Sequence, residues 1–336
     1  MPSVAVDLGG TFLRCAVCSD SGDVTDVVTH RIDLGPADRD PQQVWNHIFR
    51  LIEEFAGAAH SGLAADDPIA LAFPGPIGNH SRIVRAPTVV GQSVEMPDAV
   101  SIVGKRTGRR VYLLNDVSAA GWFFLTTERA DRFLVVTVSS GIGSKLVDRA
   151  NPDRVLDAWP FAGEIGHITV DDASDAPLCD CGGRGHLGAI ASGRGTENLA
   201  RRMALFDSAS FLRSSCATSF GATADSVTNE QHLVPAAQAG DVWAWSVIAK
   251  GQEPLAQTLS AAIIAASLQR VLVIGGFAVS LGHRYIDSLR MSVQRRMSPG
   301  LIDVRIDDVI DFGRSPEDAC LRGAGLFAAS FARKRR

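Results

Sequence analysis

Apolar residues recur along this chain at two spacings, and the switches between them outline its elements. "SVAVDLGG" and "FLRCAVCS" are apolar or alternating over strand-length stretches and predict two strands, with "DSGD" as the turn that lets them pair antiparallel. In "DPQQVWNHIFRLIEEF" the apolar positions Val44, Ile48, Leu51, Ile52 and Phe55 fall on one helical face, with Asp40 as cap and Pro41 in the first turn. "PIALAFPGPIG" and "RRVYLLND" read as buried strands whose ends can reach a ligand at the carboxyl edge of a sheet. The strand, glycine turn, strand pattern returns in "DRFLVVTVSSGIGSKLVD" and predicts a duplicated domain. Further on, "DVWAWSVIAKGQEPLAQTLSAAIIAASL" predicts a long helix disturbed near Pro254, followed by the strand "RVLVIGG" and a helix after "FAVSLGHR". Ser315 and Pro316 start a last helix in "SPEDACLRGAGLFAASFA". Residues 197–240 carry the weakest pattern, helical with a polar loop near "FGATADSVTNE".

Composition narrows the class. A chain of 336 residues, 46% hydrophobic, can bury a large core and suggests two domains. A net charge of -4 with interleaved signs argues against nucleic acid or an anionic membrane as the main partner. No apolar run approaches the ~20 residues of a membrane helix. "MPSVAVDLGG" moves straight into a strand pattern without the features of a signal peptide, so a cytoplasmic location is expected. In that reducing compartment the six cysteines are thiols or metal ligands rather than disulfides. Cys15 and Cys18 in "CAVC" suggest a redox pair, but their place on a strand favours buried thiols.

Three predicted strands end in glycine-rich turns, "VDLGGT", "VSSGIGS" and "VIGGFA". None matches G-x-x-x-x-G-K-[ST] or a helix-opening G-x-G-x-x-G. In the first turn, Gly9, Gly10 and Thr11 can offer backbone N–H groups and a hydroxyl to phosphate oxygens, and Asp7 is placed to hold Mg2+ directly or through water. One such turn alone is a plain tight connection; three in this order, each on a strand, point to a phosphate cradle. At the end of "LLND", Asp116 either caps a helix or accepts a proton from a substrate hydroxyl while the turns hold a phosphoryl donor.

The succession "DLGGTFLR", "FPGPI", "LLNDVSAA", "SSGIGS", "AGEIGH", "CDCGGRGH", "VIGGFAV" and "EDACLRGAGLFAAS" resembles the ROK family of bacterial sugar kinases and repressors, within the actin/hexokinase/Hsp70 ATPase superfamily. The resemblance covers nearly the whole chain. It implies an α/β fold of two ribonuclease-H-like domains around a central cleft, with residues 1–117 and 315–336 in a smaller domain and 118–314 in a larger one. It implies ATP phosphate contacts at Asp7, Gly9, Gly10, Thr11, Gly141 and Gly143, and a nucleoside side at Gly275 and Gly276. Asp116 falls on the catalytic base, and Gly75, Asn115, Glu164 and His167 fall on sugar contacts. The family's repressors carry a DNA-binding segment ahead of the first strand, where only three residues precede Val4, so a kinase is expected over a sugar-sensing regulator. A filament or chaperone ATPase is disfavoured by "GEIGH" and the cysteine loop. Family members form dimers or tetramers, and a homodimer fits that habit. "SSGIGSK" departs from the family, where a threonine-glycine start and more glycine are usual.

His167, Cys179, Cys181 and His186 form a set of nitrogen and sulfur ligands of the kind that closes a tetrahedral structural Zn2+ site. The family has a third cysteine where His186 stands. The alternative is a glycine loop with unmetallated thiols and imidazoles. Two residues further, Gly188 replaces a glutamate that in the family accepts hydrogen bonds near the sugar's anomeric end. A ring hydroxyl left without that acceptor costs about 1–3 kcal/mol. The acceptor is therefore expected to be a sugar or a sugar-like ring that differs at this end. A C7 cyclitol with an exocyclic primary alcohol fits, and kinases resembling the family act on such rings. If another side chain replaces the glutamate, glucose or an N-acetylhexosamine is the substrate.

Overall fold

The computed structural model describes residues 1–9, 11–32, 40–58, 60, 62–85, 87–90, 95–159, 161–297 and 305–334. Gly10, expected in the first phosphate turn, lies outside them. The first sheet takes β1 (Ser3–Leu8), β2 (Phe12–Cys18), β3 (Val24–Arg31), β4 (Ile69–Phe73) and β7 (Val111–Asn115) in the order β3-β2-β1-β4-β7; β5 (Ile77–Gly78) and β6 (Arg82–Ile83) make a separate small hairpin. β2 runs antiparallel to β1 and β3, and β4 parallel to β1 and β7. β1 and β4 are buried at every position, which is why they read as continuous apolar runs. Val4, Val6 and Leu8 enter a core with Trp45, Ile48, Phe49 and Ile52 of the helix Pro41–Gly57. That helix is capped by Asp40 as expected, its side chain accepting from Gln42 N–H at 3.0 Å.

One turn is reassigned. "DSGD" joins β2 to β3, while Gly9–Thr11 joins β1 to β2. β3 escaped the sequence reading because it is a largely exposed edge strand and lacks a buried period.

The second sheet takes β8 (Arg132–Val138), β9 (Ile142–Asp148), β10 (Val155–Leu156), β11 (Arg270–Ile274) and β12 (Ile310–Phe312) in the order β10-β9-β8-β11-β12. Counted within each sheet, this repeats the order of the first, and β11 is parallel to both β8 and β12. The duplication expected from the glycine turns is thus a duplication of topology.

The helix Val242–Ala266 runs unbroken through Pro254 instead of being disturbed there. Proline forfeits one N–H bond, but Gly251, Gln252, Leu255 and Ala256 around it are buried and hold the helix in place. "FAVSL" lies inside a helix, Gly276–Leu281, and Gly282, at φ 67°, separates it from His283–Gln294. The last helix is Ala319–Lys334, starting after Ser315 and Pro316. Residues 197–240 are mostly short helices.

The chain divides into two compact units, residues 1–129, 145–162 and 315–336 in one and residues 130–144 and 163–314 in the other. The helix Asp116–Thr127, placed with the larger domain by the sequence, belongs to the first unit. It packs backbone to backbone on the last helix, since a Cβ on Gly323 would overlap the Ala119 carbonyl. Among the described residues no helix is long and apolar enough to cross a membrane.

Candidate functional site

In the first unit, the ends of β1, β4 and β7 carry the expected residues. Asp7 is 6% exposed, and its Oδ2 accepts from Arg14 Nε at 3.1 Å and from Arg14 Nη2, its cross-strand neighbour in the register. Burial pushes the Asp7 carboxyl above the ordinary aspartate range, while the Arg14 guanidinium pulls the other way. Asn115 caps the helix Asp116–Thr127, accepting from Val117 N–H at 2.9 Å and Ser118 N–H at 3.4 Å, and its Nδ2 donates to the Gly75 carbonyl at 2.9 Å. Gly75 has φ 145°, and a Cβ there would stand 2.5 Å from the Arg85 carbonyl oxygen. Asp116 opens the helix with Oδ1 accepting from Val117 N–H at 2.8 Å. Asn115 therefore locks the β4 loop to the β7 end, and Asp116 follows it on the same helix start.

The glycines sort into two groups. At Gly9 and Gly276 the nearest protein atoms to an added Cβ would be 3.5 and 4.0 Å away, and at Gly141 none lies within 4 Å. The protein's own packing does not demand glycine at these three positions. At Gly141 the bare backbone faces open space, as close approach of a phosphate needs. Gly275 differs, because its φ of 102° and the Val138 backbone 2.6 Å from a Cβ make it a packing glycine. Gly143 lies on β9, and Thr11 sits exposed in the first turn.

In the second unit, Glu164 precedes the short 3-10 helix Ile165–His167. Gly166 abuts β9 so closely that a Cβ would overlap the Ile142 carbonyl. His167, Cys179, Cys181 and His186 place one donor atom each within 4.8 Å of one another. Cys179 Sγ is 3.6 Å from His167 Nδ1 and Cys181 Sγ 3.2 Å from His186 Nδ1. The loop is shaped by backbone bonds from Cys179 N–H to Gly183 O at 2.8 Å and Gly182 N–H to Cys179 O at 2.9 Å. Gly188, the second residue of the helix Leu187–Ala191, lies with its Cβ position 3.1 Å from the Gly166 carbonyl oxygen.

Two residues absent from the sequence reading join these parts. Arg194 donates from Nε to the Ser140 carbonyl at 3.2 Å and pairs through Nη2 with Asp180 at 2.6 Å, tying the cysteine loop to the second glycine turn. Cys320 puts its thiol 3.8 Å from the Asp116 carbonyl oxygen, and burial with the nearby charges of Asp7 and Asp116 holds that thiol far above its usual range. Neither had a local signal, because each acts across the sequence. Cys15 and Cys18 are fully buried in β2 and pushed up to about 12 by burial. After chelation at pH 7.5, iodoacetamide is expected to label Cys179 and Cys181 well before Cys15 and Cys18, as read by peptide mass spectrometry. Equal labelling of Cys15 would contradict the buried-thiol assignment.

The ROK family model matches residues 3–329. The chain is 35% identical over 333 residues to a C(7)-cyclitol 7-kinase of Streptomyces hygroscopicus subsp. jinggangensis, covering 97% of this chain and 93% of that one. It is 29% identical to an N-acetylmannosamine kinase of Escherichia coli O157:H7 over 58% of this chain and 62% of that one. A ROK hexokinase from Thermus thermophilus superposes with a TM-score of 0.73 at 25% identity, covering 99% of this chain and 100% of that one. With the duplicated sheets, the bare glycine turns and the cysteine-histidine loop in place, the match along nearly its whole length means that this chain belongs to the ROK family.

Proposed function

We propose that this chain is an ATP- and Mg2+-dependent kinase that phosphorylates a primary hydroxyl of a C7 cyclitol. The observation that carries the reading is the 35% identity, spread over 97% of the chain, to a C(7)-cyclitol 7-kinase. Gly188, in place of the family's glutamate, supports an acceptor that differs from a hexose at that end. Asp116 takes the proton of the acceptor hydroxyl as its oxygen attacks the γ-phosphorus and ADP leaves. Asn115 and Gly75 hold the acceptor side of the first unit, and Glu164 and His167 that of the second. The backbones of Gly9, Gly141 and Gly276 give the phosphates and the nucleoside their approach. With Arg14 already on Oδ2, Asp7 suits Mg2+ held through water, and the ion would neutralise charge on the transferring phosphoryl. Zn2+ on His167, Cys179, Cys181 and His186 would fix the loop and, with four protein ligands, leave no open position for chemistry.

The second reading, a glucose or N-acetylhexosamine kinase, draws on the N-acetylmannosamine kinase relative and on Glu164 and His167. The two part in kcat/KM for a C7 cyclitol, glucose, N-acetylmannosamine and N-acetylglucosamine. The cyclitol is expected to lead by about 10- to 100-fold, the span of one missing buried hydrogen bond. Gly188→Glu is expected to shift preference toward hexose. It should also raise the KM of every acceptor, because its Cβ must displace the Gly166 carbonyl 3.1 Å away. Efficient glucose phosphorylation with no cyclitol activity would end the cyclitol reading.

A further inference from the structure

β9 carries Ser144 and Lys145 directly after Gly143, and both residues have a visible use. Ser144 is buried and takes the Gly163 carbonyl twice, through its N–H at 3.1 Å and its Oγ at 2.8 Å. Lys145, 4% exposed, carries its ammonium to the neighbouring Ala162 carbonyl. Two residues before Ser144, the Ile142 carbonyl fills the space a Cβ on Gly166 would take. β9 therefore grips the chain at Ala162, Gly163 and Gly166, on both sides of Glu164 and directly before His167. A lysine beside a glycine turn is ordinarily read as a phosphate ligand. Here its ammonium meets a backbone carbonyl of the acceptor segment instead.

We propose that Lys145, with Ser144, is a positioning residue for the acceptor, fixing the backbone that carries Glu164 and His167. The proposal rests on the reading of those two residues as acceptor contacts. The physical case is one of tolerance. Glu164 follows a glycine at φ 76° and caps, and His167 ends, a single turn of 3-10 helix, which has little rigidity of its own. Three donors from one strand supply what the segment lacks. A misplacement of about 1 Å at such contacts costs on the order of 100-fold.

Lys145→Met keeps an apolar stem and removes the donor. It is expected to raise the acceptor KM about 10- to 100-fold while the Kd for ATP, measured by calorimetry without acceptor, stays unchanged. Lys145→Arg should recover part of the loss. Ser144→Ala, which keeps the N–H bond and loses only the hydroxyl, should shift the acceptor KM less and in the same direction, and it decides the matter if Lys145→Met does not fold. Hydrogen exchange at residues 162–168, without substrates, should quicken in the same variants. Weaker ATP binding at an unchanged acceptor KM would overturn the proposal and make Lys145 a phosphate ligand. Equal losses for both substrates would overturn it as general loosening. Unchanged exchange would remove the grip of β9 itself, whereas faster exchange at an unchanged acceptor KM would overturn the proposal through the acceptor reading of Glu164 and His167.

Discussion

Asp116→Asn is expected to lower kcat by about 100- to 10,000-fold while ATP still binds, the ordinary cost of losing a general base. The competing reading is that Asp116 merely caps its helix, and the geometry separates the two. Capping is done by Asn115, which accepts from both Val117 N–H and Ser118 N–H. Asp116 Oδ1 accepts from the N–H of its own neighbour, Val117. Asparagine caps helices about as well as aspartate, so the variant retains what a cap supplies and loses the ability to take a proton. Steady-state turnover with saturating acceptor, beside ATP affinity by calorimetry, reads the difference. Near-full kcat in the variant would leave Asp116 with a structural role and the mechanism without its base.

The elements legible in the sequence are those whose cause is local. β1 and β4 read as strands because each is buried at every position, and Asp40 followed by Pro41 marks a helix start wherever it occurs. The glycine turns were legible because a glycine ending a strand is a local event. What escaped depends on partners far along the chain. β3 is an exposed edge held by its ladder to β2, so it has no buried period to detect. The assignment of Asp116–Thr127 to the first unit follows from the contact of Gly323 with Ala119, about two hundred residues apart. Arg194, Lys145 and Cys320 each reach another segment of the chain. The cysteine-histidine loop lies between these extremes. Its ligand spacing is visible as a motif, while the bond from Arg194 that ties Asp180 to the second glycine turn is not.

One Zn2+ per chain is expected from elemental analysis of protein purified without chelator. The donors fit that ion in kind and nearly in place. Two nitrogens and two sulfurs lie within 4.8 Å of one another, with Sγ to Nδ1 separations of 3.6 and 3.2 Å. A tetrahedral zinc with bonds of about 2.0–2.3 Å needs its ligands roughly 3.5 Å apart, so a small contraction completes the site. The substitution of a histidine for the family's cysteine is accommodated at Gly183, where the His186 ring occupies the space a Cβ would take. Gly183→Ala should therefore push His186 out of the cluster and weaken zinc retention by about 10- to 100-fold, although residue 183 ligates nothing. Cys179→Ser/Cys181→Ser should lose the metal outright. Because His167 belongs both to this cluster and to the segment proposed to meet the acceptor, the double variant should also bind the acceptor poorly while ATP affinity holds. Wild-type protein without zinc, or zinc content unchanged in the double variant, would overturn the site. Zinc loss with no effect on acceptor KM would confirm the metal site but separate it from the substrate.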